Sequence, residues 1–343
     1  MPLHPLLRIR PSTHAMQARP WQRIPSGFGV RVLLAAACLL AAPLAGAAYP
    51  EKPIKLMVPW APGGATDQIA RILAQPLSKA LGVSVFVENK GGAGGNIGTQ
   101  SFVQEKPDGY ALLLATSSTN AAGPHLYAKQ GFDPARDFTA VVQVCAIPNV
   151  MVVPTAAPWK TLKEQIAALK KEPGKYTYGS AGIGSSQHLA GAQFKTVTGV
   201  DITHVPFKGS GPAAVDLMAG HIDMMIDTGS LALIKGGRLR ALAVAADKRL
   251  PALPDTPTFN EMGVPMQASA WYGVMLPRGA PPEVVARLNK ELNIILNTPE
   301  VRTHLQDIGA VIAGGSAEEF ARFSLSEIKH YEAIVRMSGA PKE

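Results

Sequence analysis

The chain has 343 residues, of which 47% are hydrophobic and 17% charged, and its formal net charge is +8. This length is enough for two domains with hydrophobic cores of their own. The sequence has no cluster of Lys and Arg interleaved with aromatic residues, so its composition argues against nucleic acid as a partner.

The first 47 residues have the features of a secretory signal peptide. They contain five arginines and no acidic residue, then an apolar run at 32–45 and the small residues Ala45-Gly46-Ala47. A positively charged start, a short apolar run and an A-x-A-like site are typical of a cleaved leader rather than a membrane anchor. We therefore expect cleavage near Ala47, and either Met1 or Met16 as the start of translation. Removal of the five leader arginines would lower the net charge from +8 to +3.

Beyond this leader, predicted strands and helices alternate. The strands are predicted at 54–58, 83–87, 110–115, 150–153, 176–179, 204–205, 222–226 and 239–245. The helices are predicted at 66–81, 97–105, 162–171, 185–198, 212–219, 282–296, 300–307 and 317–335. The strands are continuous apolar runs, which indicates mostly parallel sheets covered by helices on both faces.

The alternation favours two α/β lobes that share strands, with no linker between independent halves. Chain crossings near residues 150 and 272 would give one lobe from 48–150 plus 273–343 and a second lobe from 151–272. In such folds, ligands bind at the carboxyl ends of strands, where loops of both lobes meet. We therefore expect a ligand cleft between the lobes.

The first candidate loop is Pro59-Trp60-Ala61-Pro62-Gly63-Gly64-Ala65-Thr66-Asp67, between the first strand and the first helix. Unpaired N–H groups at a helix N-terminus carry partial positive charge and suit a carboxylate or a phosphate. An ordinary strand-to-helix turn explains the pattern equally well. Asp67 could hold the loop shape, accept a ligand amine or simply offset the helix dipole.

The second candidate loop, at 179–188, again joins a strand to a helix. Its glycines would let a ligand approach the backbone, and Ser185 and Ser186 add hydroxyls at the helix N-terminus, although one serine could simply be the N-cap. Two such turns, one in each lobe, could hold both ends of a dicarboxylate. A G-x-S-x-G motif is absent and nothing fixes an acid partner for His188, so we predict no enzyme activity.

The other polar motifs carry weaker signals. The Gly-rich stretch 91–98 matches neither the dinucleotide fingerprint nor the P-loop and is predicted to be a tight turn, although a place at the rim of the cleft stays open. No Cys/His or carboxylate cluster has metal-ligand spacing, so neither a metal nor a cofactor is predicted. Cys145 is expected to be a buried apolar residue. Asp227, at the end of a strand, could face the cleft or cap the following turn.

An ordered set of motifs resembles the substrate-receptor family of tripartite tricarboxylate transporters, also called Bug proteins. The set starts with 59–67, Val87-Glu88-Asn89-Lys90-Gly91-Gly92-Ala93-Gly94-Gly95-Asn96-Ile97-Gly98 and Pro107-Asp108-Gly109-Tyr110. It continues with 178–186, His204-Val205-Pro206-Phe207-Lys208-Gly209, 239–244, 253–258 and Ser269-Ala270-Trp271-Tyr272-Gly273. The likeness spans essentially the whole chain after the leader.

The resemblance implies a monomeric periplasmic binding protein of the two-lobe, Venus-flytrap type. It would close on a small mono-, di- or tricarboxylate and present that ligand to membrane permease subunits. Carried over from the family, the expected ligand-binding residues are Ala61, Pro62, Gly63, Gly64, Thr66, Asp67, Thr116, Ser117, Ser180, Gly182, Ile183, Gly184, Ser185 and Ser186, to which we add Asp227.

One segment departs from the family pattern. Where the family usually has Asp-Asn-x-Pro, this chain has Asp227-Thr228-Gly229-Ser230, so the identity of the carboxylate stays open. Two other functions also stay open: a ligand-sensing receptor for a signalling partner, and a secreted α/β hydrolase that uses Ser185 or Ser186.

Overall fold

The computed structural model describes residues 49–338, 340 and 342. The predicted signal peptide and its cleavage point at Ala47 lie outside these residues. Within the described part, we find no helix with the length and apolar character needed to cross a bilayer.

Six strands form the first sheet. They are β1 (Ile54–Val58), β2 (Val85–Asn89), β3 (Ala111–Thr116), β4 (Phe138–Pro148), β10 (Ser269–Pro277) and β11 (Val311–Gly314), in the spatial order β11-β4-β10-β3-β1-β2. Strand β1 pairs in parallel with β2 and β3, and the other neighbouring pairs are antiparallel. This sheet and its helices are called the first lobe.

Five strands form the second sheet. They are β5 (Val150–Pro154), β6 (Thr177–Ser180), β7 (Thr203–Pro206), β8 (Met224–Asp227) and β9 (Leu239–Val244), in the spatial order β7-β6-β8-β5-β9. Strand β6 is parallel to β7 and β8, whereas β5 is antiparallel to β8 and β9. This sheet and its helices are called the second lobe.

The helices alternate with these strands. In chain order they are α1 (Ala65–Leu81), α2 (Asn96–Phe102), α3 (Gly123–Leu126), α4 (Leu162–Lys171), α5 (Ser186–Thr198), α6 (Ser210–Ala219), α7 (Leu231–Lys235), α8 (Pro282–Leu296), α9 (Pro299–Asp307) and α10 (Ala317–Ser338). A π-helical turn, Ser118–Ala122, follows β3. Capping residues explain several helix termini. Thr161 and Ser185 are the N-caps of α4 and α5, and glycines 82 and 199, in the left-handed conformation, end α1 and α5.

Alternate residues of the central strands pack into different hydrophobic clusters. In β1, Leu56 belongs to one cluster and its neighbour Met57 to another. In β5, the neighbours Met151 and Val152 likewise belong to two different clusters. Both faces of each sheet are therefore buried, as the apolar runs predicted. The prediction of mostly parallel pairing was wrong, because a strand buried on both faces is apolar whichever way its neighbours run.

The chain passes between the sheets at two adjacent places. Strand β4 leads into β5 through Asn149, whose N–H donates to the carbonyl of Ala268 at 2.9 Å, and β10 returns to the first sheet. The carbonyl of Asn149 accepts from Ala245 N–H at 2.8 Å, and its side chain donates to Ile226. The predicted boundary at 150 falls at the start of β5, whereas the one at 272 falls inside β10. The division of the chain into lobes at those residues stays a prediction.

Candidate functional site

A small cavity of about 20 Å³ lies where loops of the two lobes meet. The first lobe lines it with Trp60, Gly64, Ala65, Thr66, Thr116, Ser118, Ala270 and Tyr272, and the second lobe with Ala181, Ser186, Gln187, Ser210 and Thr228. Ligand pockets usually measure roughly 300–1,000 Å³, and a cavity of about 10–15 Å³ is enough for one water. The lobes are therefore closed, and a ligand larger than water needs them to separate before it can enter.

Three helices begin at this cavity. The N-terminal residues of α1, α5 and α6 contribute Ala65 and Thr66, Ser186 and Gln187, and Ser210 to its wall. The first N–H groups of a helix have no partner within the helix, and they carry partial positive charge. Lys and Arg are absent from the residues that line the cavity. Its attraction for an anion therefore comes from backbone dipoles and hydroxyl groups.

The first candidate loop contributes to the cavity and to the contact between the lobes. Gly64 and Thr66 line the cavity. Ala61, Pro62 and Gly63 instead face the second lobe, where the N–H of Ala61 donates to the carbonyl of Lys208 at 3.3 Å. These three predicted site residues therefore lie at the closing surface rather than in the cavity wall.

Asp67 holds the shape of this loop. Its carboxylate accepts from the N–H of Gly63, from Asn89 Nδ2 and from Arg71 Nε, each at 3.0 Å. Burial by itself raises the pKa of Asp67, but the hydrogen bonds from Arg71, Gly63 and Asn89 outweigh it and hold that pKa below its usual range. Among the three roles predicted for Asp67, these contacts favour the structural one.

The second candidate loop also contributes both to the cavity wall and to the contact between the lobes. Ser186 lines the cavity, and its N–H donates to Ser118 Oγ of the first lobe at 3.2 Å. Gly182, Ile183 and Gly184 face the first lobe, and the carbonyl of Ile183 accepts from the hydroxyl of Tyr127 at 2.8 Å. This loop is thus both a wall of the cavity and a seal between the lobes.

The remaining serines of this loop have local partners. Ser185 is the N-cap of α5 and accepts from the N–H of His188 at 3.2 Å, while Nδ1 of His188 accepts from the N–H of Gly184. Ser180 Oγ lies 2.6 Å from Nε2 of His204 and accepts from the N–H of Gly182. Neither serine lines the cavity. The imidazole of His188 therefore makes no hydrogen bond to Ser185 that could activate it as a nucleophile.

Thr116 is the last residue of β3, and Ser117 follows it. Thr116 lines the cavity, whereas Ser117 is fully buried and does not line it. Thr116 Oγ1 lies 3.4 Å from Thr119 Oγ1 in the π-helical turn. The end of β3 therefore brings one of these two predicted residues to the cavity.

Asp227 is a buried acceptor for several donors of the second lobe. One carboxylate oxygen accepts from Ser210 Oγ at 2.7 Å and from Gln187 Nε2 at 3.0 Å. The other accepts from Ser230 Oγ at 2.5 Å and from the N–H of Gly229 at 3.0 Å. Asp227 does not line the cavity, but it orients Ser210 and Gln187, which do.

Several lining residues were not predicted: Trp60, Ala65, Ser118, Ala181, Gln187, Ser210, Thr228, Ala270 and Tyr272. The segment Lys208-Gly209-Ser210-Gly211 is a third strand–Gly/Ser–helix turn, so the criterion used for the first two loops could have found Ser210. The hydroxyl of Tyr272, on β10, donates to Thr228 Oγ1 at 3.2 Å and joins the lobes. No local signal in the sequence pairs those two residues.

Two stacked imidazoles lie behind the second loop. The rings of His188 and His204 are 4.3 Å apart, and Tyr178 stacks on His204 at 4.8 Å. Burial lowers the pKa of His188 to about 4. Burial, with the nearby His188 and Lys195, lowers the pKa of His204 to about 3. Both rings are therefore neutral in the folded protein at neutral pH.

Acidification is expected to destabilise the protein through these two rings. In the unfolded chain both imidazoles have a pKa near 6.5, whereas in the folded protein their pKa values are lowered. As the pH falls below about 6.5, the unfolded state therefore binds more protons than the folded state and is favoured. Between pH 7 and pH 5 the free energy of unfolding should fall by up to about 2 kcal/mol for each ring, and by less where water screens His204. Urea unfolding at the two pH values measures this loss.

A matched pair of variants separates this effect from other titrations. His188→Gln combined with His204→Gln should lose much less stability between pH 7 and pH 5 than the wild type. His221→Gln, which alters a side chain with 70% exposure, should keep the wild-type loss. Equal losses in the wild type and the double variant would refute this explanation.

The fold and the site define a class of protein: two α/β lobes that close over an anion-suited cavity are typical of periplasmic solute-binding proteins. The model of the tripartite tricarboxylate transporter family receptor matches residues 69–340. This chain belongs to that family. The resemblance found in the sequence is thereby confirmed.

Relatives and solved structures agree with this assignment. The chain is 36% identical over 305 residues to Protein BugT of Bordetella pertussis, a match that covers 88% of this chain and 94% of that protein. It is similar to R. palustris Rpa4515 with adipate, at 35% identity, a TM-score of 0.83 and coverage of 86% and 100%. It is also similar to MatC from Rhodopseudomonas palustris with bound malate, at 32% identity, a TM-score of 0.79 and coverage of 84% and 100%. The predicted two-lobe fold is confirmed.

Proposed function

We propose that this chain is a periplasmic receptor that captures a small carboxylate between its lobes and delivers it to the permease subunits of a tripartite tricarboxylate transporter. The observation that carries this proposal is the meeting of three helix N-termini at one cavity whose wall has no Lys or Arg. Such a site attracts an anion through oriented donors. Adipate and malate in the two solved relatives support a carboxylate as that anion.

Gly64, Thr66, Thr116 and Ser186 are the predicted residues that we propose as direct ligand contacts, because they line the cavity. The other predicted residues would support the site from behind or close it: Ala61, Pro62, Gly63, Asp67, Ser117, Ser180, Gly182, Ile183, Gly184, Ser185 and Asp227. Closure would be driven by contacts that the ligand makes only when the lobes meet.

The proposal includes secretion with cleavage near Ala47, action as a monomer, and binding without catalysis. Two other functions predict different results. A hydrolase would need an activated Ser185 or Ser186, and the contacts of His188 do not provide it. A signalling receptor would bind the same ligand but would pass it to no permease, so transport in cells separates that function from ours.

A thermal-unfolding screen of the chain from Ala48 onward tests the proposal. The panel should contain malate, adipate, succinate, citrate, acidic amino acids and aromatic acids, with the matching neutral amides as controls. A carboxylate at about 100 times its dissociation constant adds roughly 2.7 kcal/mol of stability, which is a rise of roughly 4 °C for a chain of this size. Stabilisation by a carboxylate and not by its amide would support the proposal. Equal stabilisation by both, or by neither, would contradict it.

A further inference from the structure

Trp60 is a residue of the cavity wall that carries a hydrogen-bond donor without a partner. It lines the cavity and is only 6% exposed, and its Nε1 is buried without a hydrogen-bond partner among the residues that the structure describes. A buried Trp N–H usually finds a partner, and leaving a buried donor unpaired is unfavourable. A ligand acceptor at this position would remove that cost.

The surrounding residues hold the indole in place. The side-chain amide of Asn89 donates to the carbonyl of Trp60 at 3.1 Å, and Asn89 is itself tied to Asp67. A Cβ on Gly95 would lie 3.0 Å from Cζ2 of the indole, so the missing side chain at Gly95 makes room for the ring. The backbone of Trp60 is therefore held by Asn89, and its ring packs closely against Gly95.

Most other polar side chains around the cavity already have partners. Ser118 accepts from the N–H of Ser186, Ser210 and Gln187 donate to Asp227, and Tyr272 donates to Thr228. These groups shape the wall and bind one another across it. The indole N–H of Trp60 differs from them because it makes no hydrogen bond of any kind among the described residues.

We propose that Trp60 is a further ligand-binding residue, whose indole N–H donates to a carboxylate oxygen of the bound ligand. The inference rests on the proposed function and adds one side-chain donor to the backbone and hydroxyl donors already described. It follows that a phenyl ring at position 60 would still line the cavity but could not donate the hydrogen bond to the ligand. Hydrogen bonds to charged groups contribute about 1.5–3 kcal/mol, and 1.4 kcal/mol is a tenfold change in affinity.

The first test uses the wild-type chain from Ala48, labelled with ¹⁵N at the indole nitrogens. This chain contains Trp60, Trp159 and Trp271, and Trp60→Phe and Trp159→Phe assign two of the three signals. Malate, adipate and the other carboxylates of the panel are titrated in turn. With any carboxylate that raises the unfolding temperature, the Trp60 indole proton should shift downfield while the Trp159 signal stays in place.

The second test compares affinities by calorimetry with the same carboxylate. Trp60→Phe should raise the dissociation constant at least tenfold, whereas Trp159→Phe, which alters the core of the second lobe, should leave it unchanged. Stabilisation by a carboxylate without any shift of the Trp60 signal, or with an unchanged dissociation constant in Trp60→Phe, would overturn this inference alone. Stabilisation by none of the carboxylates would overturn the proposed function together with it.

Discussion

Replacing Gly211 with alanine is expected to weaken ligand binding about 100-fold while leaving the fold intact. Gly211 is the second residue of α6, and a Cβ there would lie 2.2 Å from the carbonyl oxygen of Pro62. Pro62 belongs to the first lobe, so this clash exists only when the lobes are closed. Overpacking of this kind costs up to roughly 3 kcal/mol, and a ligand that needs the closed state would lose that much affinity.

The open form should tolerate the same change. The three nearest neighbours of that Cβ belong to the first lobe, and alanine favours a helix over glycine by about 1 kcal/mol. Without ligand, the circular dichroism spectrum and the unfolding temperature should therefore stay near the wild-type values. Calorimetry with the carboxylate found in the screen measures the loss of affinity.

Val215→Ala is a suitable control, because Val215 is an exposed residue on the same helix. It should bind the ligand like the wild type. If Gly211→Ala also binds normally, then ligand binding does not need the contact between Gly211 and Pro62, and the closed arrangement is not the binding form.

The sequence was most informative where local chemistry decides the structure. Helices α1 and α5 begin within one residue of their predicted starts, because Gly and Ser residues mark the turns before them. Helix α6 was predicted to begin at Pro212, a residue type common at the first helical position, but it begins at Ser210. Because the predicted helix began two residues too late, Ser210 was not recognised as a helix N-terminal residue at the cavity.

The contacts between lobes could not be predicted, because they join segments that lie far apart in the sequence. The Gly-rich stretch 91–98 was interpreted as a tight turn. In the structure, a Cβ on Gly94 would lie 2.1 Å from the carbonyl of Ile183, so this glycine permits closure of the second loop on the first lobe. No periodicity or spacing in the sequence links Gly94 to Ile183.

The departure from the family pattern at 227–230 also has a physical explanation. Thr228 Oγ1 accepts from Gln187 and from the hydroxyl of Tyr272, and Ser230 Oγ donates to Asp227. A Cβ on Gly229 would lie 2.8 Å from the backbone nitrogen of Ala65, so the close approach of the lobes favours glycine there. Hydroxyl groups and a glycine thus fix this wall of the cavity without the Asn and Pro usual in the family.

Asp227→Ala is expected to cause the largest loss of stability of the substitutions considered, about 3–5 kcal/mol. Asp227 is only 1% exposed, and its removal would leave three buried donors without their acceptor: Ser210 Oγ, Ser230 Oγ and Gly229 N–H. Gln187 Nε2 would lose one of its two acceptors and keep Thr228 Oγ1. Each buried donor that is left without an acceptor costs about 1–3 kcal/mol, so the loss of several such bonds accounts for a change in this range. Ligand binding should weaken as well, since Ser210 and Gln187 would lose their orientation at the cavity.

Equilibrium urea unfolding measures the loss of stability in Asp227→Ala, and two further variants serve as comparisons. Asp201→Ala removes an exposed carboxylate that lies 3.4 Å from Lys195, and it should cost about 1 kcal/mol or less because exposed ion pairs contribute little. Asp227→Asn keeps one acceptor oxygen and nearly the same volume, so its loss should fall between the two. If Asp227→Ala were as stable as Asp201→Ala, the hydrogen bonds around Asp227 would not be what holds this wall of the cavity together.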